Sequence, residues 1–262
     1  VLELQGSAQL IGQYSSNISK LQSRSTSAYD AVKQLKSFND RAAELATSAV
    51  SIRTPDEMMA YSQEVNQILE STLGVANSRL NGEPLFGGAA GSQAPFSASR
   101  DATGRITGVA YQGDANPRKA EIAEGVTITV DIPGANASDT EGPRGLLVDK
   151  RSGIDVFGHL IALRDALAAG DKGAVSAAAQ GLSADETGFI QTFSEIGANQ
   201  TRLESADRQN TAMSISLNQM ISQESDVDLA QTLVELNQLQ AAYSAALKSA
   251  GSIMKMSLMD YV

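Results

Sequence analysis

The chain has 262 residues, with 20 Lys and Arg against 30 Asp and Glu for a net charge of −10, a single histidine, and neither cysteine nor tryptophan. That balance speaks against nucleic-acid binding, which needs clustered cations, and against anionic membrane surfaces. It also leaves no disulfide, thiolate chemistry or Cys-type zinc site. With aromatics at 5%, the core must be built from Leu, Ile, Val, Met and Ala, which favours closely approaching helices and makes an enzyme unexpected.

The length suits one large or two modest domains. No run approaches the ~18 apolar residues of a membrane-spanning helix. The opening Val1-Leu2-Glu3-Leu4-Gln5-Gly6 has neither an initiator Met nor a signal-peptide layout, and reads as a start inside a longer chain.

From about Leu10 to Ile52 there is no proline, and small or apolar residues recur at alternating spacings of four and three. The seam runs Tyr14, Ile18, Leu21, Ser25, Ala28, Val32, Leu35, Asn39, Ala42, Ala46, Ala49, broken only by Ser25 and Asn39. This predicts a long helix with a coiled-coil-like stripe. Thr54-Pro55-Asp56-Glu57 predicts a second helix start, with Thr54 as cap, Pro55 at the first position and Glu57 closing a capping box. Its apolar face, Met58, Tyr61, Val65, Leu69, Ala76 and Leu80, is expected to run to Asn81-Gly82, where the left-handed conformation would end it.

Residues 83–152 hold five of the six prolines (Pro84, Pro95, Pro117, Pro133, Pro143) and many glycines. Val126 to Ile132 alternates apolar and polar side chains, the period of a half-buried strand, and Ile106 to Tyr111 is a second strand candidate entered through a turn at Asp101-Ala102-Thr103-Gly104. The segment reads as a small β-rich insert with a mobile loop at Asn136 to Arg144.

Helix returns at Asp155 to Ala169 through Val156, Leu160, Leu163 and Leu167, followed by a polar, Ala-rich connection to about Asp185. A second long stripe then takes Phe189, Phe193, Ile196, Gln200, Leu203, Ala206, Asn210, Met213, Leu217 and Ile221. Ser222 to Asp226 reads as a joint, with Ser225 and Asp228 as a further capping box. The last helix carries Leu229, Leu233, Leu236, Gln240, Tyr243, Leu247, Ala250 and Met254, widened by Ile253 and Leu258. Charge is sparse there, so this helix is expected to be covered by partners. The fold class is therefore mainly α with a β-rich insert. A long coiled-coil-like helical domain comes from both chain halves: 1–82 and 153–224 form the helical part, 83–152 the insert, and 225–262 a terminal helix for assembly.

No motif for chemistry appears. Gly170-Asp171-Lys172-Gly173 lacks the lead and the Ser/Thr of a phosphate-binding loop, there is no Gly-x-Ser-x-Gly elbow, and His159 is the one available imidazole base. It reads as a structural histidine. The carboxylates read as solvated helix faces, and Asp101, Asp114 and Asp131 lack calcium-loop spacing. No catalytic, cofactor or metal residue is assigned. The cluster Met254, Met256, Met259 on an apolar tail points to a surface that a partner buries.

Ala76-Asn77-Ser78-Arg79-Leu80-Asn81-Gly82-Glu83-Pro84-Leu85-Phe86-Gly87-Gly88 resembles the helix-to-insert joint of the flagellar hook-associated protein 3 family, the hook–filament junction proteins. Tyr111-Gln112-Gly113-Asp114, with Ile122 and Gly125, is similar to the start of that family's outer β domain. Asp226-Val227-Asp228-Leu229-Ala230 through Ser257-Leu258-Met259-Asp260-Tyr261-Val262 resembles its terminal helix. The resemblance spans essentially the whole chain.

It implies an extracellular flagellar protein, exported unfolded through the type III apparatus with an export chaperone. Such a protein is set as a ring between the first hook-associated protein and flagellin, in contact with copies of itself. The assembly interface carried over is Leu229, Leu233, Leu236, Tyr243, Leu247, Ile253, Met254, Leu258 and Tyr261. The resemblance also implies that the family's first several dozen residues precede Val1, so the chain alone is expected to be soluble and monomeric, with a terminal helix frayed or disordered for want of its partner. The competing readings are a flagellin filament subunit and a flagellin-like surface-binding protein. The absence of any proline after Pro143, together with the Leu85-Phe86-Gly87-Gly88 joint, favours the junction family over flagellin.

Overall fold

The structure is a computed structural model that describes residues 2–51, 54–89, 93–114 and 116–259, with side chains considered outside 225–230 and 253–259. Four helices carry the described chain: α1 (Leu2–Ser51), α2 (Pro55–Ala76), α3 (Val156–Ala169) and α4 (Lys172–Met259). Nine short strands lie between α2 and α3. These are β1 (Arg79–Leu80), β2 (Glu83–Pro84), β3 (Phe96–Arg100), β4 (Ile106–Tyr111), β5 (Ala120–Ala123), β6 (Val126–Ile128), β7 (Ala135–Asn136), β8 (Val148–Asp149) and β9 (Ile154–Asp155). The chain is mainly α with a β-rich insert, as its periodicities predict. It divides into two units, one of residues 14–207 and one of residues 1–13 with 208–262.

In the larger unit α1 and α4 run antiparallel, and their cross-contacts keep step. Lys172 Nζ donates to the Val50 carbonyl at 2.9 Å, Asn39 Nδ2 to the Leu182 carbonyl at 2.9 Å, and Lys36 Nζ to Glu186 at 3.1 Å. Further along, the Tyr29 and Phe193 rings meet edge-on at 5.1 Å. The seam from Ile18 to Ala49 is buried apart from a half-buried Leu21, and both of its polar breaks, Ser25 and Asn39, are buried with it. Ala at four of those positions lets the helix axes approach, which is where the sequence's shortage of bulky residues is used.

α3 packs on α2, and Leu160, Leu163 and Leu167 share one buried core with Met58, Val65 and Leu69. Ser62 Oγ ties the pair by donating to the Arg164 carbonyl at 2.9 Å, and the buried Arg164 guanidinium donates to the Ile106 carbonyl at 2.6 Å, holding β4 on the helices. Asp155 caps α3, accepting from the Gly158 amide at 2.9 Å, and Gly170, left-handed at φ 71°, ends it. The α3 segment thus matches its sequence reading closely.

Several expectations are corrected. α2 ends at Ala76, with Asn77 as its cap. Asn81 (φ 52°) and Gly82 (φ 85°) form the two-residue turn of the β1–β2 hairpin instead, because two consecutive positive φ values match the twist of a hairpin. Thr54 does precede α2 with Pro55 next, yet its hydroxyl bonds the Glu57 carboxylate and not the helix backbone. The strand expected over Val126 to Ile132 pairs only to Ile128, against β5, which the periodicity did not reveal. β4 is as predicted, and it pairs with β3 through the turn in which the Asp101 carboxylate accepts from the Thr103 and Arg105 amides. A bond from the Thr103 hydroxyl, with those from the Arg105 and Thr103 amides, holds the Asp101 carboxyl below its usual range.

The loop expected to be mobile begins in β7 with a buried Asn136. That side chain donates to the Glu141 carbonyl at 3.0 Å and accepts from the Ser138 amide at 2.9 Å, stitching the loop locally. The Ala-rich connection before Asp185 is already helix from Lys172, because alanine is the best helix former. Nor is there a joint at Ser222 to Asp226, since α4 passes through it unbroken. The seam position assigned to Met213 is half-filled by Ser214, and Met213 is exposed.

Candidate assembly surface

Within the smaller unit, Ile11, Asn210 and Leu217 are buried, and Leu4, Ala8, Ser214 and Ile221 are half-buried. These positions recur at three and four residues on each helix. Leu4 also lines a shallow groove with Glu3, Met220, Gln223 and Glu224. α4 then continues as helix to Met259.

Along that continuation Leu233, Leu236, Leu239, Tyr243 and Leu247 are 49–70% exposed. At 100° per residue these five, with Gln240, fall on one arc of about 120°, the width of a core-facing helix stripe. Glu235 and Lys248 lie outside that arc. A stripe this apolar would be excluded from water if a matching helix were present, and each Leu so buried contributes about 1.5–3 kcal/mol.

Of the nine residues that the resemblance assigned to assembly, Leu233, Leu236, Tyr243 and Leu247 are all exposed on this arc. Leu229, Ile253, Met254 and Leu258 belong to α4, but their side chains lie outside the described set; Tyr261 lies outside the described residues altogether. The structure adds Leu239, three residues after Leu236 and four before Tyr243. The strict four–three count steps over it to Gln240, and a search for i, i+3 neighbours would have found it. Met213, Ile215 and Met220 are further exposed apolar residues of the same unit. The terminal segment expected to be frayed or disordered is helical to Met259, and its described stripe residues from Leu233 to Leu247 are exposed.

The groups considered for chemistry are used elsewhere. Asp131 pairs with Arg24 and Arg118, Asp114 bonds the Asn116 amide, and Asp101 builds its turn. Among the described residues no three His, Asp or Glu side chains converge as a metal site, and no helix is long and apolar enough to cross a membrane.

No family profile and no curated protein matches this sequence. Solved structures do match the fold. FlgL of Bacillus cereus is 19% identical, covering 82% of this chain and 97% of its own, with a TM-score of 0.65. FlgL of Xanthomonas campestris is 16% identical, covering 85% and 100%, at 0.68. The flagellar hook-associated protein-3 of Legionella pneumophila is 12% identical, covering 87% and 100%, at 0.70. Over most of its length, this chain has the fold of the flagellar hook-associated protein 3 structures.

Proposed function

We propose that this chain is a structural subunit of the bacterial flagellum that joins the hook to the filament by helix packing between subunits. The observation that carries the reading is the shared fold over more than four fifths of this chain and nearly all of each neighbour. The uncovered stripe from Leu233 to Leu247 supports it, because a helix with that surface is completed by assembly. On this reading the chain is exported through the flagellar type III apparatus, aided by a chaperone, and lies outside the cell. Its partners are the first hook-associated protein, flagellin and copies of itself, and the mechanism is burial of apolar surface without a chemical step.

The test is a deletion in the source organism, followed by electron microscopy of the cells and assay of the medium for flagellin. Bare hooks with flagellin shed into the medium are expected, because filament subunits would arrive with nothing to nucleate on. Bare hooks with no flagellin anywhere would identify a filament subunit instead, and unchanged filaments would overturn the flagellar reading.

A further inference from the structure

We propose that His159 and Asp185 form a proton-dependent clamp that closes α3 onto α4. His159 lies in the first turn of α3, and its Nδ1 is 2.8 Å from Asp185 Oδ2 on α4. The Asp185 carboxylate is fully buried, and its second oxygen accepts from the Asp155 amide at 3.1 Å. Asp155 is itself the cap of α3. One acid on α4 thus grips the start of α3 at two points, a backbone amide and an imidazole.

The fit of the ring is close. One turn before Asp185, Gly181 leaves α4 without a side chain, and a Cβ built there would come within 2.4–2.6 Å of the His159 ring. The imidazole therefore rests against the α4 backbone, in a notch that a larger residue would close. His159 is the only cationic side chain paired with Asp185 among the described residues. The charged groups bearing on His159 are Asp185 from α4 and Asp155 from the start of α3, both acidic.

A buried carboxylate is costly unless a cation or donors compensate it. The hydrogen bond to Asp185 pushes the His159 imidazole above its ordinary range, against the opposing effect of its burial. Burial pushes the Asp185 carboxyl upward, while His159 and the Asp155 amide pull it back. For His159 the folded state holds the proton more tightly than the unfolded chain. Its contribution to stability is therefore complete below the ordinary imidazole value of about 6.5 and lost as pH rises through the higher folded value. The clamp is tight in mild acid and slack in mild alkali.

His159 is the sole histidine, so its ring resonances in the full-length chain are unambiguous. The experiment is an NMR titration of that ring, with amide exchange across Val156 to Ala169 between about pH 5.5 and 8.5, corrected for intrinsic exchange. The expected result is a titration above the free-imidazole value and α3 protection that falls as pH rises. In His159→Asn the protection should lose this pH dependence. In Asp185→Asn the ring should titrate at or below the free value, since burial then outweighs the weaker remaining charge of Asp155. A wild-type titration at or below the free value would overturn the clamp, as would the same pH trend in α3 after His159→Asn. The wild-type measurement stands even if either variant fails to fold.

Discussion

Arg24 lies one residue before a break in the α1 seam and is nine-tenths buried. Its guanidinium bonds the Asp131 carboxylate and also donates to the Pro84 and Leu85 carbonyls at 2.9 and 3.1 Å. One side chain thereby fastens the β1–β2 hairpin and the stretch after β6 to α1. Replacing Arg24 with Met would keep the volume but leave Asp131, 3% exposed at its side chain, to the more exposed Arg118 alone. Breaking a buried pair from one side typically costs about 3–5 kcal/mol. With Arg118 remaining, we expect roughly 3 kcal/mol, read as a lower urea midpoint together with lost amide protection at residues 79–85. An unchanged midpoint would show that Arg118 suffices. Asn39, by contrast, is a polar residue that the periodicity did mark, though only as a break. It is buried, with its amide nitrogen on the Leu182 carbonyl and its Oδ1 unbonded, a cost accepted in a seam where it can pin the register.

At the scale of elements, α1, α2 and α3 were legible because a three-to-four apolar spacing is a local signal, whereas α4 was read in pieces and the cap at Asp155 and the close at Gly170 came from the structure. The insert was legible only in part. β4 was marked by the turn that enters it at Asp101 to Gly104, whereas β1, β2, β7, β8 and β9 have two residues each, too few to express a period. Their positions follow from backbone conformation and from partners far along the chain. Two glycines separate these causes. Gly82 has φ 85° in open space, so Gly82→Ala should lose only the backbone preference, about 1–2 kcal/mol. Gly88 has φ 62° and would place a Cβ 1.8 Å from the Asp114 carbonyl oxygen, so Gly88→Ala must also displace backbone. Thermal unfolding of the two variants should rank Gly88→Ala well below Gly82→Ala. Equal losses would mean the close approach at Gly88 is relieved without cost. The false joint at Ser222 to Asp226 has the opposite origin, because a polar run breaks an apolar pattern without breaking a helix.

At the scale of the whole molecule, Leu236 and Leu247 are exposed residues of the unit formed by 1–13 and 208–262, and neither is among the described core residues of the 14–207 unit. Replacing Leu236 and Leu247 together with Asp should therefore leave the thermal transition of that unit unchanged. If the proposed packing is correct, incorporation into flagella should be abolished, since two burials of about 1.5–3 kcal/mol each become charge desolvation. Electron microscopy and fractionation of complemented deletion cells would check this, and normal incorporation would refute the packing.

The amino-acid order by itself determined that α1, α2 and α3 are helices, which of their faces are apolar, and that a proline- and glycine-rich insert interrupts them. It also marked the apolar stripe before the tail, because the period of such a stripe can be counted along a single helix, while its exposure was seen only in the structure. Only the tertiary structure decided that Arg24 meets Asp131, that His159 meets Asp185, and that Asn39 is buried against Leu182. The physical reason is range: helical periodicity repeats within four residues, whereas these partners are separated by 107, 26 and 143 positions. Nothing in the local pattern of either partner names the other until the helices and the insert have packed.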